Sequence, residues 1–246
     1  MLVWAAGLPF LQPVSVRAFG QLSLANFWAL SPSLLMTGLK TTALLMVIVP
    51  TVTIFLSVAI AWVVLRSQIR WRGVVDFFAF LPHAIPSIVF SIAAWLLALF
   101  VLRDILPIYG TIWILVLAYV VARISYGTRM MNSALIQLHP ELEESATICG
   151  ATTGSVLRFV LLPLLGPAIL YGWIWLALLT YRELTLAVIL ANTDNQPLAI
   201  VVWGLLWSSA YGKASAVSLI MIALMLPILT LYWFVARRLP VAVRAD

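Results

Sequence analysis

Apolar residues run along this chain in long unbroken blocks, and polar residues gather between the blocks rather than alternating within them. A helix that crosses a bilayer needs about 20 mostly apolar residues. Four blocks meet that length: 41–65 (TTALLMVIVPTVTIFLSVAIAWVVL), 77–102 (FFAFLPHAIPSIVFSIAAWLLALFVL), 108–126 and 214–236. A fifth, 164–190, is long but interrupted by TYRELT. The pattern predicts about five transmembrane helices. It is too continuous for the alternating strands of a membrane barrel. Pro50, Pro86 and Pro227 fall inside these blocks, where membrane helices tolerate proline because neighbouring groups satisfy the freed carbonyls. Between the last two blocks, PLAIVVWGLLW is too short to cross. It reads as a short re-entrant or interfacial helix, with Trp203 and Trp207 near the headgroups.

Composition turns this pattern into a class. The chain is 64% hydrophobic and 9% charged, against roughly 25% charged in a soluble domain. Lipid must cover most of such a surface, so the fold class is an all-α integral membrane protein. The net charge of +6 reflects orientation in the bilayer rather than nucleic-acid binding. With the loop after the first span on the cytoplasmic side, that side carries Arg66, Arg70, Arg72, Arg123, Arg129, Arg158, Arg237, Arg238 and Arg244. The other side carries Arg17, Lys40, Arg103, Arg182 and Lys213. Nine against five satisfies the positive-inside rule and puts the C-terminus in the cytoplasm. Residues 1–38 have the look of the tail of a truncated span followed by an external linker. Residues 39–238 read as one transmembrane domain, and 239–246 as a cytoplasmic tail.

One cytoplasmic segment stands apart. ELEESATICGATTGSVLRFVLLPLLGP, residues 141–167, holds three of the chain's eight acidic residues within four positions. Pro140 suits a first helical turn, and Glu141, Glu143 and Glu144 complement the positive end of the helix dipole. ELEESATIC therefore predicts a short helix. Gly150 allows a turn, and Thr152 or Thr153 is placed to cap a second short helix, GSVLRFVLL. Pro163 and Pro167 mark the start of the next span. The two short helices are expected to lie along the cytoplasmic face. A small-residue face (Ser145, Ala146, Cys149, Gly150) would fit a groove on a partner, with Cys149 packed rather than reactive.

This segment resembles the cytoplasmic signature of binding-protein-dependent ABC transporter permeases. That signature is Glu-Ala-Ala, three residues, Gly, nine residues, then an aliphatic residue, any residue and Leu-Pro. Here Glu144-Ser145-Ala146 is followed by Gly150, Val160, Leu162 and Pro163, at matching spacings. Ser145 and Val160 are the departures. LKTTALL, LPHAIPSIV and YRELTLAVIL are similar to the branch that moves ferric iron, thiamine, phosphonates or polyamines, and the whole resembles the second half of a fused iron-type permease. The resemblance implies an inner-membrane permease subunit of an ATP-driven importer. It implies an ATPase-coupling role for Glu143, Glu144, Ser145, Ala146, Gly150, Leu162 and Pro163. It also implies three protein partners beside the lipid: an ABC ATPase dimer, a second permease half (self or paralogous) and an external solute-binding protein. The substrate would be ferric iron or another small solute.

The chain lacks a G-x-x-x-x-G-K-[ST] phosphate loop, so on this reading ATP and Mg²⁺ belong to the partner ATPase, with no cofactor in this chain. H-E-x-x-H, G-x-S-x-G and paired intramembrane carboxylates are also absent from the sequence. Two readings stand for Arg182 and Glu183, which interrupt the apolar block 164–190: pathway or gate residues, or a self-neutralising pair with Arg182 snorkelling outward. His83, between Pro82 and a kink at Pro86, reads as a hydrogen-bonded structural residue. The competing function is a stand-alone secondary transporter driven by an ion gradient. Such proteins often carry internal repeats and intramembrane ionisable groups, and no repeat is visible here.

Overall fold

The computed structural model describes residues 1–238, and every regular element among them is helical. The tail read at 239–246 lies outside the described residues. Residues 1–31 form three short helices, α1 (Leu2–Gly7), α2 (Val16–Phe19) and α3 (Ala25–Trp28). Asn26 pins them together by donating from Nδ2 to the carbonyls of Ala6, at 2.9 Å, and Leu8, at 2.7 Å. Ala6, Leu8 and Leu30 are buried at this end of the molecule.

Four helices are long and apolar enough to cross a membrane, and a bent pair makes up to five. The first is α4 (Pro32–Arg66), which starts inside the segment read as linker. Ser31-Pro32 explains this, because proline at the first helical position is pre-set for helix. The block read as one span at 77–102 is instead broken. Helix α5 (Arg72–Ala84) meets α6 (Ser87–Leu96), which runs on through a π-helical turn, Leu97–Val101, and the two halves are bent by 106°. Pro86 is therefore the N-cap of α6 rather than a residue inside a span. It offers no N–H and pushes Ile85 out of the helical region, to φ −97° and ψ 127°.

Helix α7 (Ile112–Ile136) runs ten residues past the predicted end. The sequence there, GTRMMNSALI, is too polar for lipid, but Thr128 and Asn132, like Ser125 one turn earlier, are buried within the protein. Helix α8 (Glu141–Ile148) follows. The second short helix expected along the membrane face is absent as a separate element. Helix α9 (Thr153–Val156), a π-turn Leu157–Leu161 and α10 (Leu162–Tyr181) form one continuous helix of 29 residues. The π-turn lies where Pro163 lacks an N–H for the carbonyl four residues back, a common setting for such bulges. The span read as 164–190 thus ends at Tyr181, and α11 (Thr185–Leu190) is separate. Helix α12 (Leu198–Trp207) has ten residues, as its short apolar run predicts, and α13 (Tyr211–Arg238) closes the described chain.

α7 is the centre of the bundle. It packs most extensively on α4, and α5, α10 and α11 also lie against it. α4 and α7 approach closely because Gly127 faces Ser57 and Thr53. Small residues at a crossing of this kind let backbones meet, which drives helix association in lipid. On the far side α13 is tied to α10 by Tyr181, whose hydroxyl donates to the Met221 carbonyl at 2.8 Å. α12 is tied to α4 by a buried bond from the Leu198 N–H to Thr42 Oγ1 at 2.9 Å.

Candidate functional site

Helix α8 projects from the end of the bundle where α4 and α7 finish. Pro140 is its N-cap, and Glu141, Glu143 and Glu144 fill its first turn. Its C-terminus closes with two bonds: the Gly150 N–H donates to Thr147 O at 2.9 Å and the Ala151 N–H to Ala146 O at 3.0 Å. That pair is a Schellman cap, which needs a left-handed residue, and Gly150 has φ +85°. Nothing lies within 4 Å of where a Cβ on Gly150 would stand, so the glycine serves the backbone turn and leaves open space above it. Thr152 then caps α9 by accepting from the Ser155 N–H at 3.4 Å.

The sequence-predicted site residues divide between two sides of α8. Glu143 and Ala146 are half-buried against the bundle. Glu144, Ser145 and Gly150 are exposed, with Leu142 and Ile148, the latter 86% exposed. Cys149 is exposed too, contrary to the packed position expected of it. It follows the last residue of α8 on the outward side, where no span reaches. Leu162 and Pro163 are exposed on the first turn of α10, beyond the π-turn.

Sequence reasoning missed Arg66, counted there only as a loop charge. It is the last residue of α4 and holds three acceptors at once. Its Nε donates to Glu143 Oε1 at 2.6 Å, and its Nη2 donates to the carbonyls of Leu135, at 3.1 Å, and Leu138, at 2.6 Å. The Arg66 and Glu143 side chains are only 16% and 19% exposed.

A second charged group lies inside the bundle. Arg123, twelfth residue of α7, forms an ion pair with Glu183 between α10 and α11, both side chains 12% exposed. Arg123 Nη2 also donates to Leu179 O at 3.3 Å, and Glu183 Oε1 accepts the Leu186 N–H at 3.2 Å, capping α11. Glu183 is thus paired with α7 and not with its neighbour Arg182. The pair lines a cleft of about 360 Å³ at the α5–α6 break, with His83, Pro86, Phe90 and Tyr126. His83 meets Tyr126 edge-on at 5.1 Å. Arg182 is exposed and turns the other way, into an apolar groove of about 350 Å³ with Val202, Ser218, Met221 and Met225. The findable signal for the pair was a lone arginine within one apolar block and a lone glutamate within another, since charges at that depth seek partners. Among the described residues no cluster of His, Cys, Asp or Glu could hold a metal ion.

Comparison with known proteins decides the family. Residues 53–241 match the family described as binding-protein-dependent transport system inner membrane component. The chain belongs to that family. It is an inner-membrane, multi-pass, non-catalytic subunit and carries no cofactor. Among curated relatives, it is 22% identical over 170 residues to the Fe(3+)-transport system permease protein FbpB 2 of Haemophilus influenzae, covering 69% of this chain and 33% of that one. It is 26% identical over 173 residues to the spermidine/putrescine transport system permease protein PotC of the same organism, covering 70% and 65%. It is 28% identical over 176 residues to the sulfate transport system permease protein CysT of Salmonella typhimurium, covering 67% and 63%. The chain spans between 33% and 65% of the length of these three. Among solved structures, a chain of a bacterial ABC transporter involved in the import of the acidic polysaccharide alginate superposes with a TM-score of 0.71 at 18% identity, over 97% of this chain and 87% of that one. The MetNI methionine ABC transporter gives 0.63 at 18%, over 91% and 100%.

Proposed function

We propose that this family member is the permease subunit of an ATP-driven importer, and that α8 is the helix through which a separate ABC ATPase drives it. The carrying observation is α8 itself: a short helix with an acidic start, outward-facing Glu144, Ser145 and Ile148, and open space over Gly150. On this reading the α8 end is cytoplasmic, as is the C-terminal end of α13. ATP and Mg²⁺ act on the ATPase dimer. A second permease half, self or paralogous, completes the route, and an external solute-binding protein delivers the cargo at the opposite end. The Arg123–Glu183 pair and Arg182 serve the pathway or its gate. The cargo is ferric iron or another small solute; the named relatives move iron, polyamines and sulfate.

The test is a mild-detergent pull-down of the tagged chain from native membranes, with mass spectrometry of what accompanies it. An ABC ATPase is the expected companion, and Glu144→Lys is expected to deplete it by reversing charge at the contact. ATPase capture by Glu144→Lys equal to wild type would refute the docking role. A gradient-driven transporter remains the second reading, favoured by one observation, the buried Arg123–Glu183 pair, whose arginine lies in a candidate span. Uptake that survives ATP depletion would move it to the front.

A further inference from the structure

The docking helix has little else to hold it. Among the described residues, α8 makes its main backbone contacts with the α9 segment and the π-turn that follow it in the chain, and Ala146 alone of its apolar side chains packs beside the core between α4, α7 and α10. A force applied to α8 has two ways into the spans. One is the chain itself, through Gly150 into α9 and α10. That route passes a left-handed turn and a π-bulge, both places where a helix bends readily. The other is Arg66. Its guanidinium joins the end of α4, the Leu135 carbonyl in the last turn of α7, the Leu138 carbonyl just beyond it and the first turn of α8 in one knot. The Leu135 carbonyl belongs to the negative end of the α7 dipole, which a cation complements.

We propose that Arg66 is the positioning residue that couples α8 to α4 and α7, so that displacement of α8 moves both spans together. The proposal rests on the docking reading above. Its chemistry requires arginine. A planar guanidinium serves Glu143 through Nε and two carbonyls through Nη2, whereas a lysine ammonium on a flexible stem is a single point that cannot keep that fork geometry. The coupled pair is also the one that carries the rest of the bundle. α7 holds Arg123 and Tyr126 of the cleft, and Ser125 Oγ donates to the Ala79 carbonyl of α5 at 2.8 Å. Movement of α7 is therefore passed to α5, ahead of the α5–α6 break, at Ser125, about 15 Å up the helix from Leu135 at 1.5 Å per residue.

The experiment uses the complex purified from native membranes through a tag on this chain, in a Cys149→Ser background with a nitroxide on Ile85→Cys at the rim of the cleft. The spectrum is recorded without nucleotide and with ATP and Mg²⁺, beside the amount of ATPase captured and its hydrolysis rate. In the parent, nucleotide changes the spectrum. Arg66→Gln and Arg66→Lys are expected to capture the same amount of ATPase and to go on hydrolysing ATP. The nucleotide-dependent spectral change is expected to fall by about fivefold or more in both, the lower end of what a coupling between sites carries. A full spectral change in Arg66→Gln overturns the proposal. So does loss of ATPase capture in both variants, which would make Arg66 a support for docking rather than a coupler. If the parent itself captures no ATPase, the docking reading falls and the coupler falls with it.

Discussion

Gly150 separates two demands that usually coincide. Its φ of +85° is a backbone requirement, and the empty space above it is a surface property. Asparagine tolerates the left-handed region, whereas a β-branched residue there is strained by roughly 1–2 kcal/mol or more. Gly150→Asn is therefore expected to leave the thermal melting of the detergent-solubilised chain unchanged while lowering ATPase capture, because its side chain fills the open space. Gly150→Val is expected to lower both. Equal capture by the Asn variant and wild type would mean that no partner closes over this turn. The Arg123–Glu183 pair makes an opposite demand, since here the cost lies in breaking a match. Removing one member of a buried pair leaves an uncompensated charge, worth about 3–5 kcal/mol, whereas apolar replacement of both is often neutral. Arg123→Met alone should melt well below wild type, and Arg123→Met with Glu183→Met should recover most of that loss. A double variant as unstable as the single would show that the pair's other bonds, to Leu179 O and the Leu186 N–H, dominate.

The contact between α4 and α7 is set by a polar and small-residue seam. A methyl on Gly127 would overlap Ser57 Oγ and come within 3.3 Å of Thr53 Cγ2. Gly127→Ala is expected to destabilise the chain by about 1–3 kcal/mol, the range for forcing extra bulk into a packed contact. Adding Ser57→Ala should return part of it, because the overlapping oxygen is gone. Melting curves of the two variants in one detergent read the difference. This seam also explains what the sequence could and could not reveal. The apolar blocks fixed the number and order of the spans, since lipid accepts little else over 20 residues. The lower half of α7 escaped because Ser125, Thr128 and Asn132 face protein, and a hydropathy pattern cannot tell a protein-facing polar residue from a loop. The broken span was half legible: Pro82 and Pro86 signalled a kink, but a bend of 106° depends on α5 packing on α7 while α6 packs on α11. α8 was legible almost to the residue, because its proline start, acid turn and glycine stop are all local signals. Arg66 was not, since its partners lie 69 to 77 residues away.

At the scale of the whole molecule the question is where one unpaired charge looks. The chain shares its architecture with the alginate importer chain over nearly all its length, and α7 is among its helices long and apolar enough to cross a bilayer. Arg123 sits about 16 Å below the start of α7, at 1.5 Å per residue, within the roughly 30 Å hydrocarbon layer. Glu183 is bonded to it, and Arg182 is the next residue, so Arg182 lies at a similar depth. The polar side chains beside it in the groove, Tyr181 and Ser218, donate to the Met221 and Ala214 carbonyls, and no ion pair joins Arg182 among the described residues. An arginine at such depth faces water or a partner rather than acyl chains. The groove between α10, α12 and α13 is therefore expected to be wet in the assembled transporter. In a Cys149→Ser background, Arg182→Cys should react in intact membranes with a charged thiol reagent added from the side opposite α8. Reaction from that side would make the groove part of the route open to the external solution. A thiol that stays unreacted in membranes but reacts once the complex is dissociated would instead assign the groove to the contact with the second permease half, with Arg182 answering a carboxylate there.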